Sequence, residues 1–393
     1  FTGLDAGDYR LVEPGKTAGC QVLVFRHGRL AHASGHGHAD RERAVPVAPD
    51  TVWRIYSMTK PITGVALLTL YERGLFRLTD PVHRFLPELR DLKVLERDED
   101  GGKRLVEPAR PMTVRDALMH MTGIGAGPRN IRFDPAGSPD RPPSLRAGRG
   151  ATLQTLVERL AEEPLRFHPG THWLYTWSTD VCARLVEVLS GQRFDEYLAA
   201  TIFEPLGMVD TGFSVPDEAI DRFAALYRRD RQKRLVLVDD PRASGYREQP
   251  TFLSGGGGLV STGPDYLRFC RMLLGGGTLD GVRVLSRKTV ELMASNQLPG
   301  GGDLRRFALP GGYGEVGFDG MGFGLTVAVS NGPVATGGVG SAGEYMWGGF
   351  ASTAFWIDPA EDLAVVFMTQ FVPSGTFDFR GQLKSIVYGA LDD

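Results

Sequence analysis

Strand-like segments stand at both ends of this chain, and a long helix-rich stretch separates them. Near the start, CQVLVF (20–25), the turn Arg26-His27-Gly28 and RLAHA (29–33) read as strand, turn and strand, and a short strand, TVWRIY, follows at 51–56. Near the end, residues 320–372 read as strands again, in the segments FGLTVAV, EYMWGGFASTAFWIDP and LAVVFMTQF, before a final helix from about Phe377 to Leu391. Strands at opposite ends of a chain complete one sheet, so the middle is expected as an inserted second domain. Helical patterns mark Ser57 to Arg73, with Gly74 as the stop, and then 113–121, 152–163, 179–190, 193–202, 264–274 and 286–294. Residues 92–107 read as a charged hairpin turning at Asp100-Gly101-Gly102, and Gly255–Gly258 as a backbone bend. The stretch from Gly123 to Gly150, rich in Gly, Pro and Arg and without period, reads as a lid or mobile loop.

Composition removes several function classes. With 42% hydrophobic and 23% charged residues the chain is globular, with ample core material. Lys and Arg number 44 against 47 Asp and Glu, a net charge of -3, which argues against nucleic-acid or membrane-surface partners. No apolar run approaches the ~18 residues of a membrane span. Cys20, Cys182 and Cys270 lie in apolar surroundings, as small buried hydrophobes rather than a disulfide framework or zinc site. His32, His36 and His38 have no metal-ligand spacing, and His168 and His172 flank a Pro-Gly turn. Gly-x-Gly-x-x-Gly occurs at Gly312–Gly317 and Gly338–Gly343, but neither opens a helix in a βαβ unit. No metal or cofactor is therefore expected. No serine has Gly at both minus two and plus two, so the nucleophile elbow of α/β-hydrolases is missing.

Ser57-Met58-Thr59-Lys60 is the sole Ser-x-x-Lys in the chain. It follows a strand and opens a helix that is apolar almost all round from Ile62 to Leu70. At i and i+3 the hydroxyl and the amine share one helix face. A lysine half-buried there loses solvation and moves towards a useful base, and the helix N-terminus favours negative charge developing at the serine. Position alone fits equally an N-cap serine beside an exposed lysine.

SMTKPITGVALLTLYERGLFRLTDPVHRFLPEL, beginning at Ser57, resembles the first active-site segment of the serine β-lactamase and penicillin-binding-protein superfamily. It is most similar to class C β-lactamases and, closer still, to family VIII carboxylesterases. TVRDALMHMTGI (113–124), FHPGTHWLYTWSTDVCARLVEVLSG (167–191), IFEPLGMVDTGF (202–213), SGGGGLVSTGPDYLRFCRMLL (254–274) and YMWGGFASTAFWIDP (345–359) match that family in the same order. In the place of its Tyr-x-Asn motif stands Tyr175-Thr176-Trp177; in the place of Lys-Thr-Gly stands Trp347-Gly348-Gly349, as in many family VIII esterases.

The resemblance implies an α/β plus α fold. An antiparallel sheet flanked by helices, from residues 1–75 and 311–393, would carry an inserted helical domain, 76–310, with the active site in the cleft between them. It implies acyl transfer through Ser57, with Lys60 and Tyr175 sharing the proton work, backbone amides of Ser57 and Phe350 as oxyanion hole, and Trp177, Trp347, Gly348 and Gly349 lining the substrate. Which of Lys60 and Tyr175 is the base stays open. The expected activity is hydrolysis of short-chain carboxylic esters, with no cofactor and a small-molecule ester as the only implied partner. The alternatives are a β-lactamase or D-Ala-D-Ala peptidase, an acyltransferase on the same site, and a non-catalytic binding module. A cytoplasmic location is the expectation; because the sequence opens at Phe1, a removed signal peptide stays open. Oligomeric state is not legible.

Overall fold

The structure, a computed structural model, describes residues 16–97, 101–125 and 150–392. Its centre is an eight-stranded sheet of β1 (Gly19–Arg26), β2 (Arg29–Asp40), β3 (Val45–Pro46), β4 (Met321–Phe323), β5 (Ala328–Ser330), β6 (Tyr345–Gly348), β7 (Ala354–Asp358) and β8 (Leu363–Thr369). The order is β4-β5-β6-β7-β8-β1-β2-β3, and every neighbouring pair is antiparallel. The two ends of the chain meet in its interior, where β1 pairs with β8 from Cys20 opposite Thr369 to Arg26 opposite Leu363. Both strands are almost wholly buried, which is why they read as apolar runs rather than alternating ones.

Five helices matter for the site: α1 (Thr59–Glu72), α2 (Val114–Leu118), α3 (Ser178–Ser190), α4 (Gly263–Leu274) and α5 (Phe379–Gly389). On one face of the sheet Phe379, Leu383 and Val387 of α5 pack on Val22, Val24, Trp356, Val365 and Phe367. On the other, α4 lies over β8 and β1, and α1 packs against α3. Every residue of α1 from Thr59 to Leu70 is buried, so its all-round apolar sequence is matched by a partner on each side. It ends at Glu72 and is capped by Arg73, followed by Gly74 with φ +73°, the left-handed stop that glycine provides without penalty. Within the largely helical middle, Val260–Thr262 returns to pair with Val52–Arg54 and leads directly into α4.

Several local expectations need correction. α1 begins at Thr59; Ser57 lies in a preceding 3-10 turn, Tyr56–Met58, because Tyr56 adopts φ +44° and breaks the helical path. FGLTVAV is not one strand. Its Leu325 and Thr326 amides bond to Met293 and Leu118 carbonyls, Thr326 has φ +70°, and β4 and β5 form on either side. EYMWGGFASTAFWIDP likewise splits into β6 and β7 around a turn closed by Gly349 N to Thr353 O, 2.9 Å. β2 continues past RLAHA to Asp40, and the 193–202 helix is α only over Phe194–Leu198, followed by a π turn, Ala199–Phe203. The hairpin pairs Val94–Arg97 with Lys103–Val106; Asp100 in its turn, and 126–149 of the glycine-rich stretch, lie outside the described residues. Cys20, Cys182 and Cys270 are free and buried.

Candidate active site

Ser57 is half-buried between the strained Tyr56 and the first turn of α1. A non-glycine residue at positive φ costs about 1–3 kcal/mol and persists where surrounding packing enforces it. One turn on, Lys60 is 5% exposed. Its Nζ donates to Ser57 Oγ at 3.2 Å and to Gly256 O at 2.5 Å, and lies 4.4 Å from the centroid of the Tyr175 ring. Burial pulls the ammonium down to about 8, while the carboxylates of Asp180 and Glu315 hold it from falling further.

Tyr175 reaches the same point from the segment before α3. That segment is pinned by Trp173 N to Phe307 O, 2.7 Å, and Leu174 N to His120 O, 2.9 Å. The Tyr175 ring stacks on Trp173 and meets His120 and Trp347 at 5.0 and 5.3 Å between centroids. Its hydroxyl accepts from Trp347 Nε1 at 3.2 Å and is hydrogen-bonded to Ser57. Burial pushes the phenol well above its usual range, the Glu315 carboxylate adds to this, and the bonds to Ser57 and Trp347 oppose it. His120, on the turn after α2, is fully buried with φ +58°. Burial first, and then the neighbouring Lys60 charge, push it well below the ordinary histidine value, so the imidazole is neutral.

The structure thus brings Ser57, Lys60, Tyr175 and Trp347 together. Trp347 is 1% exposed and spends its one donor on Tyr175. Gly348 and Gly349 answer to protein neighbours: a Cβ at Gly348 would collide with the Arg380 guanidinium, and one at Gly349 with Thr353 Oγ1 and Ile55 O. Phe350 is partly exposed and packs edge-on against Tyr56 at 6.0 Å. Among the described residues, neither the Ser57 nor the Phe350 amide N–H takes part in the turn and loop backbone bonds around them. Trp177 is buried against Phe252, and its carbonyl accepts from Asp180 N and Val181 N at the start of α3.

Sequence reasoning passed over four parts of this arrangement. Gly256, read as part of a bend, supplies the carbonyl on Lys60. Asp180 holds that loop through Gly256 N at 3.1 Å and Ser254 Oγ at 2.7 Å. A Cβ on Gly255 or Gly256 would strike Ala183 or Asp180, so the four-glycine run was the available signal. His120 and the Glu315–Arg380 pair had no local signature. Among the described residues no group of three or more His, Cys, Asp or Glu is placed to hold a metal ion, and no helix is long and apolar enough to cross a membrane.

A sheet built from both chain ends, with a serine and a lysine one turn apart at the head of its buried helix, defines a class, and the chain belongs to the Beta-lactamase family, whose model matches residues 10–385. It is 34% identical to an uncharacterized protein of Mycobacterium tuberculosis over 96% of this chain and 91% of that one. It is 31% identical to Esterase EstB of Burkholderia gladioli over 95% of this chain and 91% of that one. Among solved structures it is similar to EstCE1, described as a hydrolase with promiscuous acyltransferase activity, with a TM-score of 0.75, 25% identity and 96% of each chain covered. The chain is accordingly a hydrolase of the serine β-lactamase fold.

Proposed function

We propose that this protein is a serine carboxylesterase of the family VIII kind, hydrolysing short-chain esters through an acyl-enzyme on Ser57. The observation that carries the reading is Lys60 Nζ, 3.2 Å from Ser57 Oγ with its ammonium brought down to about 8. A neutral Lys60 keeps one hydrogen on Gly256 O and turns its lone pair to the serine hydroxyl. Ser57 Oγ then attacks the ester carbonyl while its proton passes to Lys60. The tetrahedral oxyanion rests on the Ser57 and Phe350 amides, each such donor contributing about 3 kcal/mol in the transition state. The carbon–oxygen bond to the alcohol breaks and the departing oxygen takes a proton through Tyr175, whose phenol stays protonated and therefore acts as relay rather than resting base. Water repeats the sequence on the acyl-enzyme and frees the acid. The cleft would lie between the sheet region, 1–75 with 311–393, and the inserted residues 76–310; Trp177, Trp347, Gly348 and Gly349 are buried and would form its backing rather than its open wall.

Ester preference over β-lactams follows from the residues at two places. Trp347 occupies the strand position where β-lactamases carry a lysine, and Trp177 that of an asparagine, so neither the charge nor the amide used on an antibiotic is present there. Esterase EstB among the relatives supports the same assignment. A panel of p-nitrophenyl esters of increasing chain length, run beside a chromogenic cephalosporin, tests it. A cephalosporin kcat/KM equal to that for the acetate or butyrate ester refutes it. Acyl transfer is the second reading, favoured by the likeness to EstCE1; added alcohol competing with water for the acyl-enzyme would reveal it.

A further inference from the structure

We infer that Arg380 is a positioning residue that aims the Phe350 amide at the reacting carbonyl oxygen, with Glu315 holding Arg380 in place. The inference rests on the reading of the Ser57 and Phe350 amides as the oxyanion hole. The Gly349 carbonyl and the Phe350 N–H belong to one planar trans peptide unit, so they point to opposite sides and fixing one fixes the other. Gly349 O accepts from Ser352 N at 2.9 Å and from Arg380 Nη2 at 3.1 Å. The same Nη2 donates to Thr353 O at 2.9 Å, the carbonyl that also receives Gly349 N. One guanidinium therefore closes both ends of the turn that carries the Phe350 amide. That turn needs an external tie, because Gly349 has no side chain to restrict it. The guanidinium also lies against Gly348, where a Cβ would collide with it, so the two glycines and the arginine form one fitted unit. A charged donor on the carbonyl further polarises the peptide and strengthens its N–H towards an oxyanion.

Arg380 is itself anchored. Its Nη2, whose two hydrogens are shared among the Gly349 and Thr353 carbonyls and a carboxylate, also pairs with Glu315 Oε2 at 2.7 Å, and Nη1 bonds the Glu315 carbonyl. The Glu315 side chain is 1% exposed, and it accepts from Tyr313 OH at 2.6 Å and Ser374 Oγ at 3.1 Å. A carboxylate buried that deeply requires such partners, so the pair is locked rather than adaptable. Ser374 N also donates to Phe350 O at 2.8 Å, so the cluster grips the residue from its other side. Three chain segments, 313–315, 374 and 380, thus converge on one peptide.

The test compares wild type, Arg380→Met and Arg380→Lys on p-nitrophenyl butyrate and on its thiono analogue, whose sulfur is a poor hydrogen-bond acceptor and reads the oxyanion hole. The wild type should prefer the oxygen ester strongly. In Arg380→Met, kcat should fall by about 30-fold or more with KM within about threefold, and the oxygen-to-sulfur preference should shrink at least about tenfold. Arg380→Lys, which keeps the cation but cannot span both carbonyls and Glu315, should fall between; it decides the matter if the methionine variant does not fold. A variant that loses stability, by thermal melting, yet keeps the wild-type preference within about twofold overturns the inference and leaves the hole intact. A wild type indifferent to the sulfur overturns the hole and this inference with it.

Discussion

The acid limb of the pH–rate profile should belong to Lys60. The perturbation is titration of a lysine whose burial holds it at about 8 instead of the 10.5 of a solvated side chain, a cost to the charged form of about 3 kcal/mol. Only the neutral amine can take the serine proton. A midpoint at about 8 leaves about 1% of the lysine neutral at pH 6, half at pH 8 and about 90% at pH 9. kcat/KM should therefore rise about 50-fold from pH 6 to pH 8, with unit slope, and less than about twofold beyond. Tyr175 lies well above its usual range and His120 well below, so neither adds a limb between pH 7 and 9. The assay is the initial rate on p-nitrophenyl butyrate at constant ionic strength, read at the isosbestic wavelength and corrected for spontaneous hydrolysis. A flat profile, a midpoint near 10, or an unchanged limb in Lys60→Ala would refute the assignment of Lys60 as base.

Further outcomes follow from the same geometry. Ser57→Ala should abolish turnover with the fold retained, and mass spectrometry after an ester pulse on the native protein should find the acyl adduct on the Ser57 peptide; activity above a tenth of wild type would contradict this. Tyr175→Phe and Lys60→Ala should each lower kcat at least about 100-fold, and the double variant should be little worse than either, whereas additive losses would show separate proton paths. Asp180→Asn removes a negative charge that favours the Lys60 ammonium, so the acid limb should move to lower pH; an unmoved limb or a move to higher pH would show that the Asp180 charge does not set the Lys60 titration.

What could be read from the sequence was what local geometry or chain-end pattern carries. Ser57 and Lys60 are one turn apart, so the spacing offered their meeting, and the resemblance of the segment that follows turned that offer into an assignment. The shared sheet follows from apolar strands at both ends. Tyr175 and Trp347, 172 residues apart, came into view through the order of family segments, not through any spacing. Glu315 and Arg380 stayed hidden because a charged pair in a loop and a helix reads as surface until α5 and the β6–β7 turn close over it. The break inside FGLTVAV was equally illegible, since it is set by carbonyls of Leu118 and Met293 from distant segments.

The pairing of β1 with β8 sets the order in which the enzyme becomes competent during synthesis. β1, Ser57 and Lys60 emerge first, and the Phe350 turn, β8 and Arg380 emerge last. At ordinary ribosomal speed that interval is roughly 15–60 s. Throughout it, β1 is an apolar strand with one edge unsatisfied, a template for foreign strands until Leu363–Thr369 arrives. The nucleophile and its lysine meanwhile exist without the hole that would make them productive. An unfinished chain is therefore sticky but chemically silent, and ribosome-bound chains stalled before residue 349 should resist fluorophosphonate labelling that the finished protein accepts.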